Sequence, residues 1–358
     1  MTLEGLGTEI GCIDDRGATQ MRVKAYAALD AGAALTPYEY DSGELGPLEV
    51  EVDVTHCGIC HTDVGMIDNE GSFSSYPLVA GHEAVGTVSA IGSAVGEDQI
   101  RLGQRVGVGA IAGTCMSCEY CLSGRDSLCP RRDGTVLRGH RGGFASSVRA
   151  SDWRFAFPIP DAIESEQAGP LLCAGVTVFA PFLRHGVRPT DRVGIVGIGG
   201  LGHLAIQFAR AWGCEVTAIS TSPDKKSDAL EFGAHNFIAT RGTSELADAA
   251  GTFDFILSTV SGDIPWNDYL NALKPQGTLS VVGVPTKSIR IDFLQLLVFE
   301  KRISGGLPAS RQETIQMLDF AARTGVRAKV ETFPMSEIND AVSLVREGRA
   351  RYRAVVAV

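Results

Sequence analysis

The sequence predicts an α/β fold that contains a doubly wound parallel sheet of the Rossmann type. Two observations carry this. Residues 191–222, DRVGIVGIGGLGHLAIQFARAWGCEVTAISTS, run in the order strand, glycine-rich turn, helix, strand. The length of 358 residues, 44 % of them hydrophobic, leaves room for a second domain with a core of its own.

Within that stretch RVGIVGI reads as a buried strand. Gly197, Gly199 and Gly202 then supply G-x-G-x-x-G, with Gly200 and Leu201 completing the turn. The first glycine allows a tight turn, the second lets a pyrophosphate approach the backbone, and the third lets helix and strand pack closely. LGHLAIQFARAW reads as the helix whose N-terminus faces the phosphates, and EVTAIS as the next strand. A strand ending in Asp or Glu would hold the ribose 2′-hydroxyl of NAD. Here the strand ends at Ser220, followed by Thr221, Ser222, Pro223, Asp224, Lys225 and Lys226. Hydroxyls and lysines accept a 2′-phosphate where an acid would repel it, so the expected cofactor is NADP(H). A competing use of the same residues is structural, with Ser222 as a helix N-cap, Pro223 as the first helical residue and the lysines in solvent.

Lys plus Arg number 32 and Asp plus Glu 42, a formal net charge of −10, which is the wrong sign for a nucleic-acid binder. No run of about 20 uncharged apolar residues predicts a membrane span. The first twenty residues lack the basic and apolar segments of a signal peptide and read as a possible loose extension, with periodic sequence starting near Met21. The expected location is cytoplasmic, where the nine cysteines would stay reduced.

Cys115, Cys118, Cys121 and Cys129 are spaced C-x2-C-x2-C-x7-C. Four thiolates around one zinc ion leave no open position, so this set reads as a structural zinc site. An iron–sulfur cluster, two disulfides and four idle thiols are the other readings. A second set is more reactive in type. HCGICHTD carries Cys60, AGHEAVG carries His82 and Glu83, and PLLCAGVTV carries Cys173. Cys60, His82 and Cys173 would form a Cys2His zinc site with one position open for an oxygen ligand. Each has a plainer role available: a redox pair with Cys57, a hydrogen-bonded loop histidine, a small core residue. Spacing alone does not bring positions 60, 82 and 173 together.

CGICHTD, AGHE, the four-cysteine lobe, PLLCAG and GIGGLGH followed by STS and KK resemble the cinnamyl-alcohol-dehydrogenase-like branch of the zinc-dependent medium-chain alcohol dehydrogenases. EYDSGELGPLEVEV, MIDNE, RGGF, FPMSEINDA and ARYR are most similar to its bacterial, broad-specificity, NADPH-dependent aldehyde reductases. The resemblance runs from about Met21 to the end. It implies a GroES-like, mainly β catalytic domain over residues 1–170 and 305–358, and a Rossmann domain over 171–304. The C-terminal RYRAVVAV would return to the first domain as a strand.

The resemblance also implies roles. Cys60, His82 and Cys173 match catalytic zinc ligands, and Glu83 matches a carboxylate assisting ligand exchange. Asp63 matches a carboxylate that orients the ligands, and Thr62 the hydroxyl on the substrate oxygen. For Thr62 and Asp63 a local turn is the alternative. His61 and Arg353 match positions near the pyrophosphate, Thr177 one beside the nicotinamide, and Val282 a further cofactor contact. Three departures stand out: Gly65 replaces a relay histidine, Leu307 replaces an aromatic pocket residue, and the segment from Cys129 to Gly142 is shorter than in the plant enzymes. The last two favour an apolar, less specific pocket.

The implied activity is reversible, zinc-dependent reduction of aldehydes to primary alcohols by NADPH, with two zinc ions per chain. A homodimer through the Rossmann domains is implied, and IDFLQLLVF, residues 291–299, is apolar enough to serve it or to be core. Competing readings are an NAD-linked alcohol or polyol dehydrogenase, a zinc-free quinone reductase, and a non-catalytic NADPH-binding protein.

Overall fold

The computed structural model describes residues 22–137, 141–285, 287–306 and 308–358. RVGIV forms the strand Arg192–Val196, buried at every residue after the first. Strands that are apolar throughout suit a parallel sheet covered on both faces. Glu215–Ser220 and Phe253–Ser258 pair with it in parallel, one on each side. Six parallel strands follow the order Asn236–Ala239, Glu215–Ser220, Arg192–Val196, Phe253–Ser258, Leu273–Val281, Arg302–Gly305. In chain order this is 3-2-1-4-5-6, the doubly wound arrangement, with its switch point beside the first strand. The expected helix runs from Gly202 to Trp212 and the second strand ends at Ser220, as the residues predict.

The second sheet has seven strands and is mostly antiparallel. Val50–Ile59 lies inside it, paired with Ala84–Ile91, Ser147–Ala150 and the C-terminal strand Arg353–Ala357. The chain end therefore returns to this sheet, at Ala354↔Ile59 through Ala357↔His56. YPLVA, which reads as strand-like, forms only isolated bridges: Leu78 meets Ala28 and Val79 meets Arg141. Pro77 lacks the N–H a ladder needs, and its two successors pair with different segments.

A helical stretch from Ser165 to Arg184 joins the two sheets in sequence. It begins as α-helix to Pro170, widens to a π turn over Leu171–Gly175, and returns to α-helix over Val176–Arg184. Proline 170 cannot donate to the carbonyl four residues back, and the turn after it is the wide one. By length and composition this helix is apolar enough to cross a membrane, but 78 % of its most apolar window is buried inside the molecule. It is a core helix, packed by Phe179 and Phe182 against Phe208 and Phe255.

Candidate active site

Strand Val50–Ile59 delivers Cys60 to the start of the short helix His61–Ile67. Asp63, in that helix's first turn, is fully buried and ties three segments together. Its Oδ2 accepts the Cys60 amide (2.9 Å) and its Oδ1 accepts the Gly81 amide (2.9 Å). The same Oδ1 lies 2.8 Å from His82 Nδ1. An ionised carboxylate only accepts, so Nδ1 carries a proton and Nε2 is the ring nitrogen left for a metal. Nε2 points to Cys173 Sγ at 3.1 Å. Cys173 comes from the π turn, and its sulfur lies 3.8 Å from Cys60 Sγ. The three residues that spacing alone leaves apart thus meet, and with a Glu83 carboxylate oxygen their ligand atoms lie within 4.8 Å of one another.

The electrostatics of this cluster fit a cation. The hydrogen bond from Cys173 holds the Cys60 thiol well below its usual value. Burial pushes Glu83 up to about 7, against the pull of Arg353. Glu83 Oε1 pairs with Arg353, while its buried Oε2 has no partner. A buried oxygen without a donor, beside two sulfurs and an imidazole lone pair, is a donor set suited to zinc.

Thr62, His82, Cys173 and Thr177 line one cavity of about 220 Å³. Its walls are apolar at Ile111, Phe155, Phe157, Leu172 and Val176, and charged at Arg132, Asp133 and Arg311. Thr62 Oγ1 lies 3.8 Å from Cys60 Sγ. The lining is thus largely apolar, as expected, and carries two guanidinium groups that the sequence did not announce.

The glycine turn has the geometry its residues require. Gly197 has φ +90°, where side chains are strained, and a Cβ on Gly202 would fall 1.8 Å from Gly197 O. A Cβ on Gly199 would meet no protein atom within 4 Å, which leaves its backbone open to a ligand. Gly200 packs against the Arg353 side chain, so the arginine spans from Glu83 to the turn. Leu201 precedes the helix, and Val282 follows strand Leu273–Val281, buried, with its amide on Ser258 O (2.9 Å). His61 is exposed at the start of its helix. At the far end of the second strand, Ser220 Oγ accepts the Ser222 amide at 3.1 Å. Thr221 and Lys226 are exposed. Ser222 occupies the N-cap position ahead of Pro223 but makes no capping hydrogen bond, so capping does not occupy its hydroxyl. Lys225 Nζ lies 4.7 Å over the Tyr352 ring, and burial, then Arg351, lower its pKa.

Cys115, Cys118, Cys121 and Cys129 form a separate group, with sulfurs 3.5 to 3.8 Å apart along three edges. Thiolates sharing an ion with Zn–S bonds of about 2.3 Å stand roughly 3.8 Å apart, so this set also fits zinc. Among the described residues every cysteine is a free thiol. Leu307, the initial twenty residues and part of the segment before Gly142 lie outside the described residues. Sequence reasoning missed Tyr352, Arg351, Arg132 and Arg311. For the first two a signal was present, since ARYR belongs to the quoted resemblance.

Residues 46–161 match the alcohol dehydrogenase GroES-like domain, and residues 200–323 the zinc-binding dehydrogenase family. The chain is 44 % identical to an aldehyde reductase, AdhA, of a Synechocystis species over 94 % of this chain and 98 % of the relative. It is 38 % identical to cinnamyl alcohol dehydrogenase 2 of Rauvolfia serpentina, over 94 % and 95 %. A cinnamyl alcohol dehydrogenase from Sorghum bicolor has the same fold, with TM-score 0.89 and 36 % identity over 94 % and 98 % of the chains. The chain belongs to the zinc-binding, medium-chain alcohol dehydrogenases, in the cinnamyl-alcohol-dehydrogenase-like branch, and is an oxidoreductase by descent and fold.

Proposed function

We propose that the protein reduces aldehydes to primary alcohols with NADPH, reversibly and over a broad substrate range: R–CHO + NADPH + H⁺ gives R–CH2OH + NADP⁺. What supports this reading above all is the meeting of Cys60, His82 and Cys173 with Thr62 at one cavity. Bound zinc would supply Lewis-acid polarisation of the carbonyl oxygen, and NADPH the hydride. Cys60, His82 and Cys173 would hold the catalytic ion, with Glu83 as an exchangeable ligand, and the four-thiol lobe a structural one. Asp63 keeps His82 in the tautomer that leaves Nε2 free to bind. The Thr62 hydroxyl passes the proton to the substrate oxygen; with Gly65 in the following turn, the proton comes in through water or the ribose.

The pyrophosphate would lie on Gly197–Gly202, with His61 and Arg353 beside it. Thr177 and Val282 would flank the nicotinamide. Ser220, Thr221, Ser222, Lys225 and Lys226 would face the 2′-phosphate, which is what favours NADPH over NADH. The resulting division is residues 1–170 and 305–358 as catalytic domain and 171–304 as nucleotide-binding domain. The setting is the cytoplasm, and the assembly a homodimer. Similar chains include a cinnamyl alcohol dehydrogenase from Helicobacter pylori described in complex with NADP(H), at 26 % identity and TM-score 0.84.

The test is direct. The purified protein should carry two zinc ions and consume NADPH with benzaldehyde faster than it consumes NADH. Cys60→Ala should keep one zinc, in the four-thiol lobe, and lose turnover. A Cys60→Ala enzyme that reduces benzaldehyde at the normal rate would refute the mechanism.

A further inference from the structure

We propose that the cavity selects, among aldehydes, those bearing a carboxylate at the end remote from the carbonyl, and that Arg132 is the residue that recognises it, with Arg311 beside it. This rests on the reductase reading above and specifies its substrate class.

One cavity is lined by Thr62, His82 and Cys173, by Arg132, Asp133 and Arg311, and by the apolar side chains of Phe155, Phe157 and Leu172. A substrate whose oxygen is at Thr62 therefore shares one cavity with both hydrocarbon surface and charged groups. Arg311 is paired with Asp126 at 3.6 Å, and Arg132 shares the lining with one carboxylate. That carboxylate, Asp133, is engaged elsewhere, accepting from the Gly134 amide (3.0 Å) and from Ser151 Oγ.

Arg132 is half-buried, and among the described residues the one hydrogen bond its guanidinium makes is a long one, from Nη1 to Cys129 O at 3.4 Å. Among the described residues it has no acidic partner. A plainer role would be to offset the negative charge of a metallated thiol lobe. Its neighbour Arg131 is already placed on that lobe, where Nη2 donates to Ser117 Oγ at 3.0 Å. Arg132 lines the cavity. Arg311 has Asp126 at 3.6 Å, yet its buried Nε lacks a hydrogen-bond partner. A half-buried guanidinium without a counter-ion binds a carboxylate through two parallel hydrogen bonds, with geometry a neutral group cannot match. The cavity is smaller than the roughly 300–1,000 Å³ of sites for drug-sized ligands, which suits a short ω-oxo acid.

The experiment compares 6-oxohexanoate with hexanal, on the zinc-loaded full chain with NADPH. Charge-assisted recognition should raise kcat/KM for the oxo acid by roughly 10- to 100-fold, mostly through KM. The preference should fall as salt is raised. Hexanoate should compete with hexanal. Arg132→Ala should collapse the ratio of the two kcat/KM values towards one, and Arg132→Lys should keep part of it. Because the unaltered enzyme is itself a test, a variant that fails to fold does not shield the idea. Equal kcat/KM for the two aldehydes in the unaltered enzyme overturns it and leaves the reductase reading standing. So does a ratio that survives Arg132→Ala. Reduction of neither aldehyde overturns both.

Discussion

The Asp63 carboxylate accepts from the Cys60 amide, the Gly81 amide and His82 Nδ1, all within 2.9 Å. One side chain therefore fixes the position of one sulfur, the backbone before the imidazole, and the imidazole's tautomer. Asp63→Asn keeps the shape but puts an NH2 group where an acceptor is needed. A buried donor is then left facing another donor. Zinc affinity of the open site should drop by about 10- to 100-fold, as it does when ligand-orienting carboxylates are removed elsewhere. The four-thiol lobe should keep its ion. Competition with a chromophoric chelator reads both sites, and an unchanged open-site affinity would show that Asp63 only supports the local turn. At this scale residue types were legible: thiols and imidazoles have few uses in a reducing compartment, and a missing acid at the strand end is itself a message. The direction of a long side chain was not. Whether Arg132 faces solvent, a thiol or a cavity depends on packing by segments remote in sequence.

Elements carried a stronger signal where one period held for a whole segment. The strand–turn–helix–strand unit was readable because Gly197 and Gly202 admit no side chain and Arg192–Val196 is continuously apolar. The π turn over Leu171–Gly175 was not, since nothing local marks one widened turn, although it delivers Cys173. The helix Gly202–Trp212 holds a group whose titration is tied to folding. His203 is fully buried, with Nδ1 donating to Gly199 O (3.1 Å) and Nε2 accepting the Lys329 amide (3.2 Å). The ring also stacks on Tyr352, with centroids 5.2 Å apart. Burial drives its pKa down to about 3, from 6.5 in the unfolded chain. Between those values the unfolded chain binds a proton that the folded one refuses. Its contribution to stability is therefore full above pH 6.5 and is lost as pH falls, by up to about 1.4 kcal/mol per pH unit from this group. Denaturant unfolding of the zinc-loaded protein between pH 7 and pH 5 should show a shallower pH slope for His203→Gln than for the unaltered chain. Identical slopes would mean that His203 titrates alike in both states.

The whole molecule works through convergence that no single element encodes. Cys60 follows a strand of one sheet, Cys173 sits in the helix leading to the other, and Arg353 opens the last strand while touching Gly200 of the nucleotide turn. The sequence named these parts but not their meeting, because contact between positions 60 and 353 follows from the register of Ala354 on Ile59. Assembly is a further step at this scale. The stretch 291–299, ambiguous in sequence between core and interface, forms the helix Phe293–Phe299; Ile291 and Leu296 pack against the core, and the other apolar side chains do not. Phe293, Leu294, Leu297 and Val298 are each more than 60 % exposed, with Val284 at 67 %. Contiguous exposed apolar surface marks an interaction site. Its edge position suits a second copy of the chain, because the strand Arg302–Gly305 that follows it ends the parallel sheet. A two-fold interface brings the same patch of both copies together. A charge placed there is thus met by its own image. Like charges juxtaposed across an interface cost several kcal/mol, so Leu297→Glu should weaken dimerisation by roughly 100-fold or more. Light scattering at micromolar concentration should give twice the chain mass for the unaltered protein and the single-chain mass for Leu297→Glu. Zinc content should be the same in both, since the helix lies outside both ligand sets. A dimer that withstands Leu297→Glu would move the interface to another face, and an unaltered protein that is monomeric would remove it.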